Sequence, residues 1–379
     1  MAEYLTNTTD LTKVATAIRE KGGTSDLLVY PDGFVTAIQA IQTGTELQII
    51  VSVTSGATVT ATKGSKVVSG TSVNGTCTLV VPEAGTWSVK ATLNGQTSDT
   101  KSVTFTDSYA LTLYLVSAVL NDNDWETIKA VSDKGDGANY WSIGDRKAVT
   151  LNGTVGHLTL SNYTTYAFII GFNHNASVEG TNRIHFQLGK TALSGGTDVC
   201  FCDNQYGPDS GWAKPGAGYF VMNASNTNSG GWKSSQMRTA ICGTSLSSYS
   251  GTIIAVIPAA LRAVLKSVTK YTDNTGNSSA ASAVTATTDY FFLLSEYEVF
   301  GRISRANSNE KNKQAQYAYY SAGNSKIKYK HNGTSTSAHW WFRSPRESTS
   351  GYFVHANTDG TVSYVNADRS LGFAPGFCV

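Results

Sequence analysis

Residues 339–379 read HWWFRSPRESTSGYFVHANTDGTVSYVNADRSLGFAPGFCV, and their patterning decides how the large C-terminal part of the chain is read. Trp340, Trp341, Phe342 and Pro345 form one apolar block, and Phe373, Pro375 and Phe377 form another. Between them, framework-like residues recur: Phe353, Val354, Gly360, Val362, Val365, Ala367 and Gly372. The intervening positions carry Arg346, Glu347, Ser348, Tyr352, His355, Asn357, Ser363, Tyr364, Asn366, Asp368, Arg369 and Ser370. Apolar anchors thus alternate with polar and aromatic side chains expected to be exposed, a pattern that fits a ligand-contacting β-surface. Tyr and Arg give large contact area at low entropic cost, and Ser, Asn and Asp give adaptable hydrogen bonds. The plainer alternative is a solvated β-hairpin with ordinary polar residues.

Working outward, residues 108–379 read as an α+β domain rich in loops. Helices are predicted over 125–132 and 258–270, and strands over 166–172, 184–187, 252–257 and 290–294. Trp141, Trp212, Trp232, Trp340 and Trp341 supply the aromatic anchors that a loop-heavy fold requires. Residues 45–107 alternate in short apolar runs separated by Ser55-Gly56, Lys63-Gly64, Asn74-Gly75 and Asn94-Gly95. Asn-Gly between alternating runs is a strong hairpin signal, so this stretch reads as a small β-sandwich with Trp87, Leu79 and Cys77 inside. Residues 1–44 read as two short helices, one with Leu11, Val14, Ala15 and Ile18 on a face, the other with Phe34, Ile38 and Ile41. Neither is long enough to stand alone in water, so their apolar faces must pack on each other or on another subunit.

Lys and Arg total 29 and Asp and Glu total 27, a balance that disfavours a nucleic-acid backbone as partner. No apolar run approaches the roughly 18 residues of a membrane span, and the start, MAEYLTNTTD, has no signal-peptide pattern. The five cysteines, Cys77, Cys200, Cys202, Cys242 and Cys378, are odd in number and are read as small buried hydrophobes. The six histidines form neither H-x-x-x-H nor H-E-x-x-H, and His174 is read as a hydrogen-bonded structural residue. Asn121-Asp122-Asn123-Asp124 and Asp133-Lys134-Gly135-Asp136-Gly137 are rich in oxygen ligands but lack the twelve-residue calcium loop. No cofactor is expected, with a structural calcium ion left open. Lys326, Lys328, Lys330 and His331 are read as a solvated basic face. No nucleophile elbow, phosphate loop or dinucleotide fingerprint occurs, and no enzyme activity is expected.

Several strings point further in combination: Tyr140-Trp141-Ser142-Ile143-Gly144-Asp145, Ile170-Gly171-Phe172-Asn173-His174, Asn228-Ser229-Gly230-Gly231-Trp232, the segment LLSEYEVF at 293–300, HWWFRSP at 339–345 and GFAPGFCV at 372–379. Together they resemble a domain of phage and bacterial proteins, DUF6273, with a C-type-lectin-like fold. Phe342 and Gly376 depart from the commoner Leu and Ala. The resemblance implies a variable protein of a diversity-generating retroelement, with a variable region at about 340–379 diversified at adenines in Asn-type codons. Side chains at nearly all the positions named above are reachable from such codons; Glu347 is the exception. The same broad fold includes a formylglycine-generating oxidase that uses a cysteine pair. Cys200 and Cys202 are read as too close along the chain to reproduce it, because strand neighbours point to opposite faces. Residues 45–107 resemble immunoglobulin-like spacer modules, and 1–44 resembles an N-terminal attachment segment of phage tail proteins.

The implied protein is a receptor-binding protein of a phage tail, assembled in the host cytoplasm and carried on the virion. It would be a homotrimer joined to other tail proteins through its N-terminal segment and aimed at a bacterial cell-surface protein or glycan. A bacterial surface adhesin built on the same domain is the other reading.

Overall fold

The computed structural model describes residues 8–22, 25, 27–40, 46–207 and 213–379, so Ile41 and Trp212 lie outside the described residues. The chain is mixed α/β and divides into two compact units, 1–115 and 116–379.

In the first unit, α1 (Thr8–Gly22) and α2 (Asp32–Ala40) join through Ala15, Ile18 and Phe34, with Leu11, Leu28 and Ala37 packed alongside. Val14 and Ile38, expected on the inner faces, are instead 48% and 53% exposed. Eight strands follow: β1 (Gln48–Ser52), β2 (Thr58–Lys63), β3 (Lys66–Thr71), β4 (Thr76–Val80), β5 (Gly85–Leu93), β6 (Gln96–Thr97), β7 (Lys101–Phe105) and β8 (Tyr109–Thr112). They form sheets β4-β1-β8 and β3-β2-β5-β6, with β7 also on β5. Asn74-Gly75 and Asn94-Gly95 both take positive φ at both positions, the geometry that lets a two-residue turn follow strand twist. Ile49, Val51, Val59, Leu79, Trp87 and Val89 fill one core. The Trp87 indole donates to the Glu83 carbonyl at 3.1 Å, so its one polar atom is satisfied in the interior. Residues 109–112, read from sequence with the large domain, pair in parallel with β1 and belong to this unit.

The second unit contains β9 (Arg146–Val155), β10 (Leu158–Phe172), β11 (Ile184–Lys190), β12 (Val199–Cys200), β13 (Val268–Asp273), β14 (Val284–Asp289), β15 (Phe291–Phe292), β16 (Lys328–Lys330), β17 (Gly333–Ala338), β18 (Trp340–Pro345), β19 (Tyr352–Ala356), β20 (Val362–Asn366) and β21 (Gly376–Cys378). The main sheet runs β15-β21-β11-β10-β9, so the end of the chain is an interior strand. A Cβ at Gly376 would sit 2.8 Å from the Phe292 ring, and one at Gly372 would sit 2.3 Å from Cys200 Sγ. Only glycine permits those approaches. Smaller sheets are β13-β14, β12-β16-β17 and β18-β19-β20.

The predicted helix at 125–132 is present as α3 (Trp125–Asp133), capped by the Asp124 carboxylate accepting from Thr127 N. Two other expectations fail. Residues 252–257 hold a short helix, Ile253–Val256, and not a strand. An unbroken apolar run does not distinguish the two. The helix expected over 258–270 stops at Val264, because Val268, Lys270 and Thr272 alternate inward on β13 and pair with β14.

Candidate functional site

The hairpin β19–β20 carries half of the residues singled out in the sequence. Its register pairs Tyr352 with Asn366, Val354 with Tyr364 and His355 with Ser363. Cross-strand partners share a face, so Tyr352, Tyr364 and Asn366 lie on one side and His355 and Ser363 on the other. β20 is an edge strand, and each of its five residues is half-buried. On its Tyr364 side an aromatic–arginine strip forms. The Arg346 guanidinium carbon lies 3.6 Å from the Tyr364 ring centre and 5.7 Å from that of Tyr352. Arg305, exposed on a neighbouring loop, lies 5.3 Å from the same Tyr364 centre. The two tyrosine rings meet edge to face at 5.5 Å and 86°.

The strip is held from beneath. Asn228 is buried, and its side-chain amide donates to the carbonyls of Thr349 and Tyr352 at 2.9 and 3.1 Å. Glu296, fully buried, accepts from the Ser304 and Arg305 amides at 2.7 and 3.1 Å and from Ala306 N at 2.8 Å. That carboxylate fixes the loop carrying Arg305. The loop in turn bridges the residue after β18 at Ala306–Arg346, and Glu347 N donates to the Arg305 carbonyl at 2.9 Å. The carboxylate of Asp273 shapes the next loop by accepting from Thr275, Gly276 and Ser278 amides, and that loop receives Ser348 N on Asn277 O.

The sequence-predicted contact residues therefore separate. Arg346, Tyr352, Tyr364 and Asn366 come together, with Glu347 and exposed Ser348 at the adjoining turn. Asn357 sits at the opposite end of the hairpin, where its side chain closes the turn on Thr361 at 3.0 Å. Ser363 is half-buried on the far face, and Arg369 follows β20 with its side chain 20% exposed. His355, Asp368 and Ser370 are corrections: they are 3%, 3% and 2% exposed and present no contact surface. His355 packs against Trp341 and His339 and bonds Asn357, and burial lowers its pKa to about 3. Ser370 donates to Asp203, whose other oxygen accepts from Phe220 N at 2.6 Å. Alternation along a sequence gives the two faces of a strand, but it does not say which faces the neighbouring loops cover.

A second constellation, which sequence reasoning missed, lies wholly inside the unit. Lys270 on β13 donates to Glu179 at 2.6 Å, Glu298 at 3.1 Å and the Tyr317 hydroxyl at 2.8 Å. Arg343 on β18 makes a two-pronged contact with Glu298 at 2.5 and 2.8 Å, and it also donates to Thr272 and to the Leu293 carbonyl. Burial works to raise the Glu298 pKa, but the charges of Arg343 and Lys270 outweigh it and hold the carboxyl well below its usual range. Glu179, less fully compensated, is pushed by burial up to about 7. His174 stacks on Tyr317 at 3.7 Å and lies 3.8 Å from Glu179, and burial lowers its pKa to about 3. His174, Glu179 and Glu298 have the donor set and proximity of a metal site. The Lys270 ammonium, however, already bonds both carboxylates, which makes it the resident cation of the cluster.

The oxygen-rich segments are likewise engaged by protein groups. Lys147 donates to the carbonyls of Asn121 and Asn123, Asp124 caps α3, and Asp133 pairs with Lys129 and Lys266. The basic run is not a solvated face throughout. Lys328 is fully buried, 5.5 Å from the Phe168 ring centre and 5.0 Å from that of Trp340, and burial lowers its pKa to about 8. Cys200 and Cys202 also differ from expectation. Residues two apart in a strand share a face, and their sulfurs lie 4.0 Å apart. Both are buried thiols, and the neighbouring Cys200 together with burial raises the Cys202 pKa well above the ordinary thiol value. Among the described residues, no helix is long and apolar enough to cross a membrane.

Residues 219–379 match the family model of a domain of unknown function, DUF6273. The matched segment contains the strip, Glu298 and Arg343, whereas His174 and Glu179 lie before it. No curated protein and no solved structure matches the chain.

Proposed function

We propose that the chain is a receptor-binding protein of a phage tail, and that the strip around Arg346, Tyr352, Tyr364 and Asn366 contacts a molecule on a bacterial surface. The observation that carries this reading is the packing of Arg346 and Tyr352 about Tyr364 on an edge strand, above a fully buried framework. Aromatic and arginine side chains are the residue types that dominate binding energy at interfaces. The exchange of tips without refolding, by a retroelement acting on this segment, fits side chains that project from a filled core. Attachment through residues 1–44 is supported by the exposure of Leu27, Val29, Val35 and Ile38, a set of apolar side chains that another tail protein or further copies of the chain would cover. Several copies per particle would convert modest single-site affinity into avidity.

The test measures attachment of the full chain to a panel of bacterial cells by fluorescence. Y352A/Y364A should lose attachment while its melting temperature stays near that of the parent. W341A should do the reverse, costing about 3–5 kcal/mol of stability, because Trp341 is fully buried and its indole donates to Phe220 O. Attachment of the double variant within twofold of the parent refutes the assignment.

A further inference from the structure

We infer that Arg305 and Arg346 form an anion subsite on this strip and that the sugar it takes carries a carboxylate, as in an acidic polysaccharide; this rests on reading the strip as the contact surface.

The argument begins with where the other arginines spend their hydrogen bonds. Arg146, Arg183, Arg238, Arg262 and Arg343 all donate to main-chain carbonyls or carboxylates, while exposed Arg302 lies against no aromatic ring among the described residues. Arg305 and Arg346 do neither among the described residues; both guanidinium groups lie against the ring of Tyr364. The Arg346 guanidinium carbon sits over the Tyr364 ring at 3.6 Å from its centre, and its N–H donors form no hydrogen bond among the described residues, so they stay open to a ligand. Their position is set by the backbone: the Ala306–Arg346 bridge ties the two segments, and Glu296 clamps the loop amides on either side of Arg305. Two like charges are therefore held at a single aromatic ring, and neither forms an ion pair among the described residues. An anion placed there relieves their repulsion and receives ready-made donors.

The chemistry of the neighbours selects the kind of anion. Tyr352 stands edge to face with Tyr364, and Asn366 pairs across the strand from it. An aromatic face suits the apolar face of a sugar ring, and an amide suits its hydroxyls. A sugar bearing its own carboxylate can cover Tyr352 and reach the Arg346 fork within one residue. A polyol phosphate carries its charge on a flexible chain and offers no ring to Tyr352.

The test uses the full chain and three probes, in calorimetric titrations at low and physiological salt: oligogalacturonate, its methyl ester and poly(glycerol phosphate). Oligogalacturonate should bind, and raised salt should weaken it. Esterification, or the double substitution R305Q/R346Q, should weaken binding by about tenfold or more, the loss expected for one charge-assisted hydrogen bond. R346K, which keeps the charge and loses the fork, should fall between. Equal affinity for acid and ester, equal affinity for parent and R305Q/R346Q, tighter binding of poly(glycerol phosphate), or no binding of any probe overturns the inference. The cell-attachment assay separates this failure from failure of the strip itself. If Y352A/Y364A loses attachment and R305Q/R346Q keeps it, the acidic-sugar inference falls and the contact surface stands; if both keep it, both fall.

Discussion

Replacing Glu298 by Gln removes one charge from a site where every partner is buried. Glu298 receives two donors from Arg343, one from Lys270 and one from the Ser295 amide at 3.0 Å. The amide group of Gln is nearly isosteric but turns one acceptor oxygen into a donor that faces cationic N–H groups. It also leaves Arg343 and Lys270 with Glu179 and the more distant Glu310, and burial already pushes both of those carboxyls up to about 7. Breaking a buried ion pair by removing one member costs about 3–5 kcal/mol, because the orphaned charge stays buried. For a domain of this size each kcal/mol shifts the melting temperature by about 2–4 °C, so the fall should be on the order of 6–20 °C. Calorimetry on the full chain reads it, with exposed Glu126→Gln as a control expected within about 0.5 kcal/mol of the parent. Lys270→Met should cost less than E298Q, since Arg343 still satisfies Glu298 and Glu179 can neutralise itself by taking up a proton. A loss below about 1 kcal/mol in E298Q would show that the cluster is not an electrostatic keystone, and a larger loss in K270M would move the keystone from Glu298 to Lys270.

Acid should destabilise the chain below neutral pH. His174 and His355 are held at about 3 and His331 at about 4 by burial, against an unfolded value near 6.5, and His185 is lowered likewise. Their folded-state pKa values are depressed, so the unfolded chain binds protons that the folded one refuses, and stability is lost as pH falls below about 6.5. Glu179 and Glu310, raised to about 7, oppose this between about 4.5 and 7, but four histidines outweigh two carboxyls. The urea midpoint should therefore peak near pH 7 and fall by pH 5; a midpoint that rises over that interval contradicts the assignment. Glu296→Gln should turn a donor toward the Ser304–Ala306 amides, cost about 1–3 kcal/mol and speed amide exchange at residues 304–306 while α3 stays protected. Unchanged exchange there would mean that the loop holds its shape without the carboxylate.

What the sequence made legible followed from local rules. The hairpins at Asn74-Gly75 and Asn94-Gly95, the Asp124 cap and the inward Trp87 each depend on a few neighbouring residues. Tyr352 and Tyr364 stand out because aromatic residues are flanked by framework residues on a hairpin, and their rings do meet. The buried cluster was not legible: Glu179, Lys270, Glu298, Tyr317 and Arg343 come from five separated segments, and a lysine or glutamate in isolation reads as solvent-facing. Arg305 was missed for the same reason, since only the Ala306–Arg346 bridge brings it to the strip. The one available signal was that HWWFRSP, LLSEYEVF and the string ending in His174 stood out together. Their polar members, Arg343, Glu298 and His174, prove to be neighbours.

The burial of His355, Asp368 and Ser370 narrows where a contact surface on this scaffold can vary. Ser370 holds Asp203, Asp203 caps the Phe220 amide, and the Phe220 carbonyl accepts the Trp341 indole at 2.9 Å. Exchanging Ser370 therefore disturbs a chain of bonds that ends in the framework. His355 sits between His339 and Trp341, where a smaller residue leaves a cavity and a larger one has no room. Arg346, Tyr352 and Tyr364 are under no such constraint: their rings and guanidinium meet each other and Arg305, and the backbone that carries them and Asn366 is fixed by Asn228 and the strand ladder. On the proposed reading, substitutions there would change what the surface recognises while the ladder keeps its register. Substitutions at the three buried positions would cost folding before any ligand is met, so on the proposed reading the variable tips would exclude those positions and include the Tyr364 side of the hairpin.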